Sequence, residues 1–209
     1  MSTVRVILTL GVLTLGCSEP HDIDSQADAR VASDAQAGTT DAQVTDATPE
    51  RSRIFVTSAQ FAGNLGGLAG ADAICQGAAD SGNLGGSWRA WLSTESVDAI
   101  NHIQDHAPWY LPDRTTLVFA SHAQLRGSAS APIGHDEYGA FDPFGIPISD
   151  RVVQTGTRSG IAEWTCNSYT TGSAGVQGSY GFLDEVSFWS FSGSGRCDSG
   201  NGRLYCFEQ

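Results

Sequence analysis

The chain has 209 residues and a formal net charge of −12, with 25 glycines, one methionine and no lysine. That length fits one domain with an appendage, and the composition suits a loop-rich β-containing domain better than a helical bundle. Residues 18–51 carry eight acidic and two basic side chains, and residues 52–209 fifteen and eight; with no basic stripe, nucleic acid and anionic polysaccharide are excluded as expected partners.

Residues 1–16 read as an export signal. Arg5 supplies a positive start, and the apolar run over residues 6–15 is too short to cross a bilayer. Gly16 then precedes Cys17, as in a bacterial lipoprotein signal whose cysteine is acylated, although Thr14 stands where leucine is more usual. Ser18 does not favour inner-membrane retention, so the expectation is an outer-membrane or cell-surface lipoprotein. Residues 17–51 form the lipidated cysteine and an acidic tether. The tether has no aromatic residue and too little apolar surface to fold, and spans roughly 30 Å as a flexible chain.

Residues 52–209 are the expected folded domain. Residues 53–58 are rich in β-formers and predict the first strand. After the turn at 64–67, residues 68–79 predict a helix with Leu68, Ala71, Ile74, Cys75 and Ala78 on one face. Residues 82–86 break it. Residues 88–92 predict a second strand, 97–103 a short helix, 115–120 a third strand and 123–125 a turn of helix. Residues 127–163 are punctuated by glycine and proline, with short extended pieces at 138–141 and 146–148. The end of the domain predicts two or three strands from 163–166, 187–191 and 203–207.

Four cysteines remain beside Cys17, and four allow three connectivities. An exported domain permits disulfides. A nested pattern is favoured: Cys75 with Cys206 ties the ends together, and Cys166 with Cys197 staples the glycine-rich region between them. Taken alone, the long loop is worth about 5 kcal/mol and the short one about 4 kcal/mol.

The segments 54–58, 63–75, 88–93 and 203–208 together resemble an uncharacterised secreted domain family found in surface lipoproteins of spirochaetes and other bacteria. More distantly, the order of motifs is similar to the endostatin domain of collagen: a Gly-Ala-Asp-x-x-Cys helix at 70–75, an Arg-Ala-aromatic-Leu-Ser strand at 89–93, and a late cysteine, Cys206. The resemblance covers about 155 residues. It implies an α+β, C-type-lectin-like fold with two small mixed sheets, two helices, long loops and the same nested disulfides. It implies no activity. The chain lacks the Glu-Pro-Asn or Gln-Pro-Asp and Trp-Asn-Asp signatures of calcium-dependent sugar binders, and residues 164–167 stand where a calcium site would be expected. The arginines are dispersed rather than clustered as in heparin-binding endostatin, and no histidine of the domain precedes His102.

Candidate chemistry is sparse. His102 and His106 have metal-ligand spacing on a helix, but Pro108 follows and no third ligand is indicated. His135, Asp136 and Glu137 could join loop carbonyls around calcium, and Asp184 with Glu185 are read the same way; polar turns are the expectation for both, and no motif calls for a cofactor. No nucleophile elbow, phosphate loop or dinucleotide fingerprint occurs, and no histidine follows His135. Among the aromatics, Trp164, Trp189 and Phe191 are expected to fill the core around the disulfides, while Trp109 and Tyr138 are the expected surface residues. Candidate ligand contacts are therefore Trp109, Tyr138, Asp136, Glu137, Trp164 and Asn167, and the loops between Gly127 and Glu163 are expected to supply the ligand contacts. The expected function is a non-enzymatic surface module for a protein or glycan. The alternatives are an envelope hydrolase using Asp136, Glu137 or Glu163, and a self-associating surface component.

Overall fold

The computed structural model describes residues 51–139 and 145–209. The signal, Cys17, the tether and Phe141 lie outside the described residues.

The strand β1 (Ser52–Val56) sits at the centre of a five-stranded sheet. It pairs antiparallel with β10 (Tyr205–Glu208) and parallel with β3 (Trp109–Tyr110). Outside these lie β2 (Trp88–Ala90) on β10 and β4 (Leu117–Phe119) on β3. The first and last strands thus pair directly, with Phe55 opposite Cys206.

Strand alternation divides the core into two. Ile54, Val56, Tyr205 and Phe207 join Trp91, Trp109, Phe119 and Trp189 in one cluster. Phe55 and Cys206 join the second, where Trp88, Leu92 and Leu204 meet the helix α1 (Gly67–Ser81). The helix buries Ala71, Cys75 and Ala79, four residues apart, with Leu68, Ile74 and Ala78 packed beside them. Small residues on that stripe let it lie close to the sheet. Aromatic pairs knit the first cluster, with ring centroids 5.0 Å apart for Trp91 and Trp189 and 4.8 Å for Phe119 and Trp189.

The bridges are nested: Cys75–Cys206 joins α1 to β10, and Cys166–Cys197 closes the later region, with Cα separations of 5.4 and 5.7 Å. A buried ion pair also links the ends of the domain. Arg53 donates through Nε and Nη2 to Glu208 at 2.7 and 2.5 Å, and its backbone N–H donates to the same carboxylate.

A second sheet holds β5 (Val152–Gln154), β8 (Gln177–Phe182) and β9 (Gly193–Arg196), all antiparallel. A hairpin, β6 (Thr157–Arg158) with β7 (Ile161–Ala162), makes a third. A short helix α2 (Ala99–His102) and 3₁₀ turns at His122–Arg126 and Ile148–Arg151 complete the regular structure, with a helical turn α3 (Cys166–Tyr169). The architecture is α+β, and the described residues form three sheets and three helices rather than two of each.

Several expected strands are absent. Residues 187–190 form a run of bends and Phe191 joins no strand, because Trp189 and Ser190 are pulled inward. The Trp189 indole donates to the Gly127 carbonyl, and the Ser190 hydroxyl accepts from the Trp91 indole. Residues 163–166 make only the bridge of Thr165 with Gly178, since Trp164 and Cys166 have φ of 45° and 51°. Ile148 begins a 3₁₀ turn and Tyr138 sits in a turn, so the extended pieces expected there do not form in the described residues.

Candidate functional site

An open groove of about 750 Å³ is bordered by residues 162–165, Asn167, Glu95 and residues 175–177. That volume lies within the range of roughly 300–1,000 Å³ typical of ligand sites. Trp164, Glu163, Asn167, Glu95 and Gln177 supply its functional side chains.

Its wall is a backbone anomaly. Cys166, Asn167, Ser168 and Tyr169 all have φ between 51° and 59°, so α3 is a left-handed turn made without glycine. Each such residue costs about 1–2 kcal/mol relative to the right-handed form, and only Asn167 is of a type that tolerates it well. Tertiary contacts hold it there. Cys166 is bridged to Cys197, the Leu65 N–H donates to the Tyr169 carbonyl at 2.9 Å, and the Tyr169 N–H donates to the Thr165 carbonyl at 2.7 Å. The Glu95 N–H donates to the Ser168 hydroxyl at 3.1 Å, which brings Glu95 to the groove. Two glycines make room for the bridge: a Cβ on Gly63 or Gly178 would come within 2.7 or 2.6 Å of the Cys166 sulfur. Tyr169 is fully buried beneath the turn, and burial pushes its phenol pKa upward.

The strand β8 carries the opposite side. Its Ser179 N–H donates to the Trp164 carbonyl at 2.7 Å, and its hydroxyl donates to the Glu163 carbonyl. With its backbone so held, Trp164 projects outward. It is 47% exposed and its indole lies nearly parallel to Phe191, 18° between planes and 6.3 Å between centroids.

The sequence-predicted residues separate accordingly. Trp164 and Asn167 do meet at the groove, and Glu163 joins them. Trp164 is a surface residue, correcting its expected place in the core; the positive φ turns it out. Trp189 is buried, but in the first cluster and not around the disulfides, and Phe191, expected in the core, is only partly buried. Trp109 is the reverse case: it is fully buried in β3, its indole donates to the Glu208 carbonyl at 3.2 Å, and it packs on Phe207. It cannot offer a ring to a ligand. Asp136 and Glu137 are also buried, at 7% and 4% exposure. Glu137 accepts from the Ser58 N–H at 2.8 Å and from the Ser58 hydroxyl, and Asp136 accepts from the Tyr138 N–H at 2.9 Å. Both stand near Arg203, whose pKa is lowered by burial against the opposing pull of Asp150, Asp136 and Glu137. Their role is structural. Tyr138 is exposed, as expected, but does not line this groove. Among the described residues of the loops at 127–163, Ala162 and Glu163 alone reach it.

The histidines do not share a helix face. α2 ends at His102, which contacts Asp72 at 2.9 Å, while His106 contacts Gln104 at 3.2 Å. Among the described residues no three His, Cys, Asp or Glu side chains come together with metal-ligand geometry.

Sequence reasoning missed Glu95 and Gln177, which are distant in sequence and carry no motif. The groove can stack one apolar face and offer carboxylate and amide groups beside it, a combination suited to hydroxyl-rich ligands. No protein-family model matches this sequence, and no curated protein sequence matches it either.

Proposed function

We infer that this protein is an exported, lipid-anchored glycan-binding module of C-type-lectin-like fold, and that it acts without catalysis. The observation that carries the reading is Trp164: a large indole held out of the core by a strained backbone, backed by Phe191, on the edge of a polar groove. The apolar face of a pyranose stacks on the indole, and the side chains of Asn167, Gln177, Glu163 and Glu95 exchange hydrogen bonds with its hydroxyls. The fold assignment draws support from the pairing of first and last strands, the helix bridged to the last strand and the nested disulfides. The acylated Cys17 and acidic tether would set the module on an outer-membrane or cell surface.

Two carboxylates in one groove, Glu95 and Glu163, favour one second reading: a carboxylate-dependent glycoside hydrolase. A single experiment separates them. The full chain is applied to a glycan array with calcium and with chelator, and bound glycans are then incubated and analysed for cleavage. Binding without cleavage that Trp164→Ala weakens at least tenfold is the expected result. Cleavage lost in Glu163→Gln or Glu95→Gln would replace the first reading by the second. Wild-type binding left intact in Trp164→Ala would overturn the site.

A further inference from the structure

A second groove, of about 210 Å³, is lined in part by Phe191. Arg126 and Arg158 face it, together with Ser128, Ser187 and the half-exposed Phe188, and none of its lining residues is acidic. This is unusual in a domain with fifteen acidic and eight basic side chains. Arg53, Arg151 and Arg196 each hold a carboxylate partner, whereas Arg126 and Arg158, like Arg51, Arg89 and Arg114, form no ion pair among the described residues; what sets Arg126 and Arg158 apart is that they line one groove together. Both side chains are exposed, and together they make this groove locally positive in an otherwise acidic domain.

Both arginines are positioned rather than loose. Arg158 leaves β6 with its guanidinium 5.0 Å from the Phe191 ring centroid. Arg126 ends the 3₁₀ turn, and its Nη1 lies 3.5 Å from the Ser159 carbonyl. The next carbonyl in that turn, from Gly127, accepts from the buried Trp189 indole at 2.8 Å, anchoring the segment to the core. Phe191 therefore contacts Trp164 and also Arg158. Phe191 lines the second groove and packs against the Trp164 indole of the first, so this ring links the two.

We propose that the second groove is a carboxylate subsite, and that the glycan bound at Trp164 carries a single acidic sugar whose carboxylate is received by Arg126 and Arg158. The planar fork of arginine matches a carboxylate in two-point geometry. The volume holds one such group and falls below the usual range for larger ligands. A polyanion would meet the net negative remainder of the domain, so the ligand bears one charge at this place rather than a run of them. The proposal rests on the glycan-binding reading.

Its test uses matched oligosaccharides differing only in a terminal glucose or glucuronate, titrated into the full chain by calorimetry. The glucuronate ligand should bind about tenfold tighter, with the advantage shrinking at high salt as screening grows. Arg158→Gln and Arg126→Gln should each remove most of that advantage while leaving the glucose ligand unaffected, and Arg158→Lys should keep part of it. Circular dichroism checks that the variants fold. As a direct readout, free glucuronate should shift the side-chain Nε–H resonances of Arg126 and Arg158, and glucose should not. Equal binding of both ligands would overturn the subsite while leaving the Trp164 reading intact. Binding of neither ligand, with no glycan bound on the array, would overturn both.

Discussion

Replacing Cys166 and Cys197 together by serine tests what holds the candidate site in shape. The bridge closes a segment with a sequence separation of 31, and removing it frees chain entropy in the unfolded state worth about 4 kcal/mol. A second quantity opposes this loss. Four consecutive residues from Cys166 to Tyr169 are left-handed, and at about 1–2 kcal/mol each the turn stores on the order of 4 kcal/mol or more. Once the bridge is cut, the turn can relax and return part of that strain, so the net loss should fall below the entropic figure, at about 1–3 kcal/mol. With a urea m-value of about 2 kcal/mol per molar, the midpoint should drop by roughly 0.5–1.5 M. Relaxation has a local signature too: the Trp164 indole N–H resonance should move in the native state, while those of Trp91 and Trp189, buried in the first cluster, should hold. Urea titration and two-dimensional NMR measure both. A loss near the full 4 kcal/mol with Trp164 unmoved would refute the reasoning, because the turn would then be held by its hydrogen bonds to Leu65 and Glu95 and not by the bridge.

Three further outcomes follow from specific contacts. Gly178→Ala places a Cβ 2.6 Å from the Cys166 sulfur, so it should weaken glycan binding and lower the melting temperature, whereas Gly77→Ala, with nothing within 4 Å, should stabilise helix α1 by up to about 1 kcal/mol; thermal melts compare them. Glu208→Ala leaves the Arg53 guanidinium buried without its partner and should cost about 3–5 kcal/mol by chemical denaturation. Asp113 accepts from the N–H groups of Thr115 and Thr116 and from the Thr116 hydroxyl; desolvation opposes these bonds, yet they hold its pKa at about 2, below the ordinary 3.8. Because the folded value is the lower one, its contribution to stability is present above about pH 4 and fades as pH falls toward 2. A carboxyl titration by NMR should show that inflection, and Asp113→Asn should flatten the stability profile in the same window.

The parts of the fold legible in sequence were those decided by near neighbours. Helix α1 follows from apolar and small residues at fourfold spacing, and β1 and β10 from alternation between two buried faces. The disulfides form the nested pairs that the positions of Cys75 and Cys206 favoured. The site was less legible because its determinants are distant. No glycine lies in 164–169, so nothing local announces a left-handed turn; a bridge to Cys197 and contacts from Leu65 and Glu95 impose it. For the same reason Trp164 and Trp109 exchanged expected places. A strand of two residues, β3, is too short for its periodicity to be read, yet it lies second from the sheet edge and buries its indole completely.

One strand sets the distance between the two grooves. Ser179 holds the Trp164 carbonyl, and the neighbouring Tyr180 carbonyl accepts from the Ser192 N–H at 2.7 Å, next to Phe191. The same strand pairs with β5 and β9 on its two sides, and the Gly156 N–H, just before the hairpin that carries Arg158, donates to the Ser179 carbonyl at 3.3 Å. The indole, the Phe191 ring and the Arg158 guanidinium are thus fixed through adjacent residues of a single paired strand. A ligand that spans them meets groups already in place, and little binding energy goes to ordering loops. On the glycan-binding reading, the strain of the turn is borne by the folded framework before a ligand arrives and does not subtract from affinity.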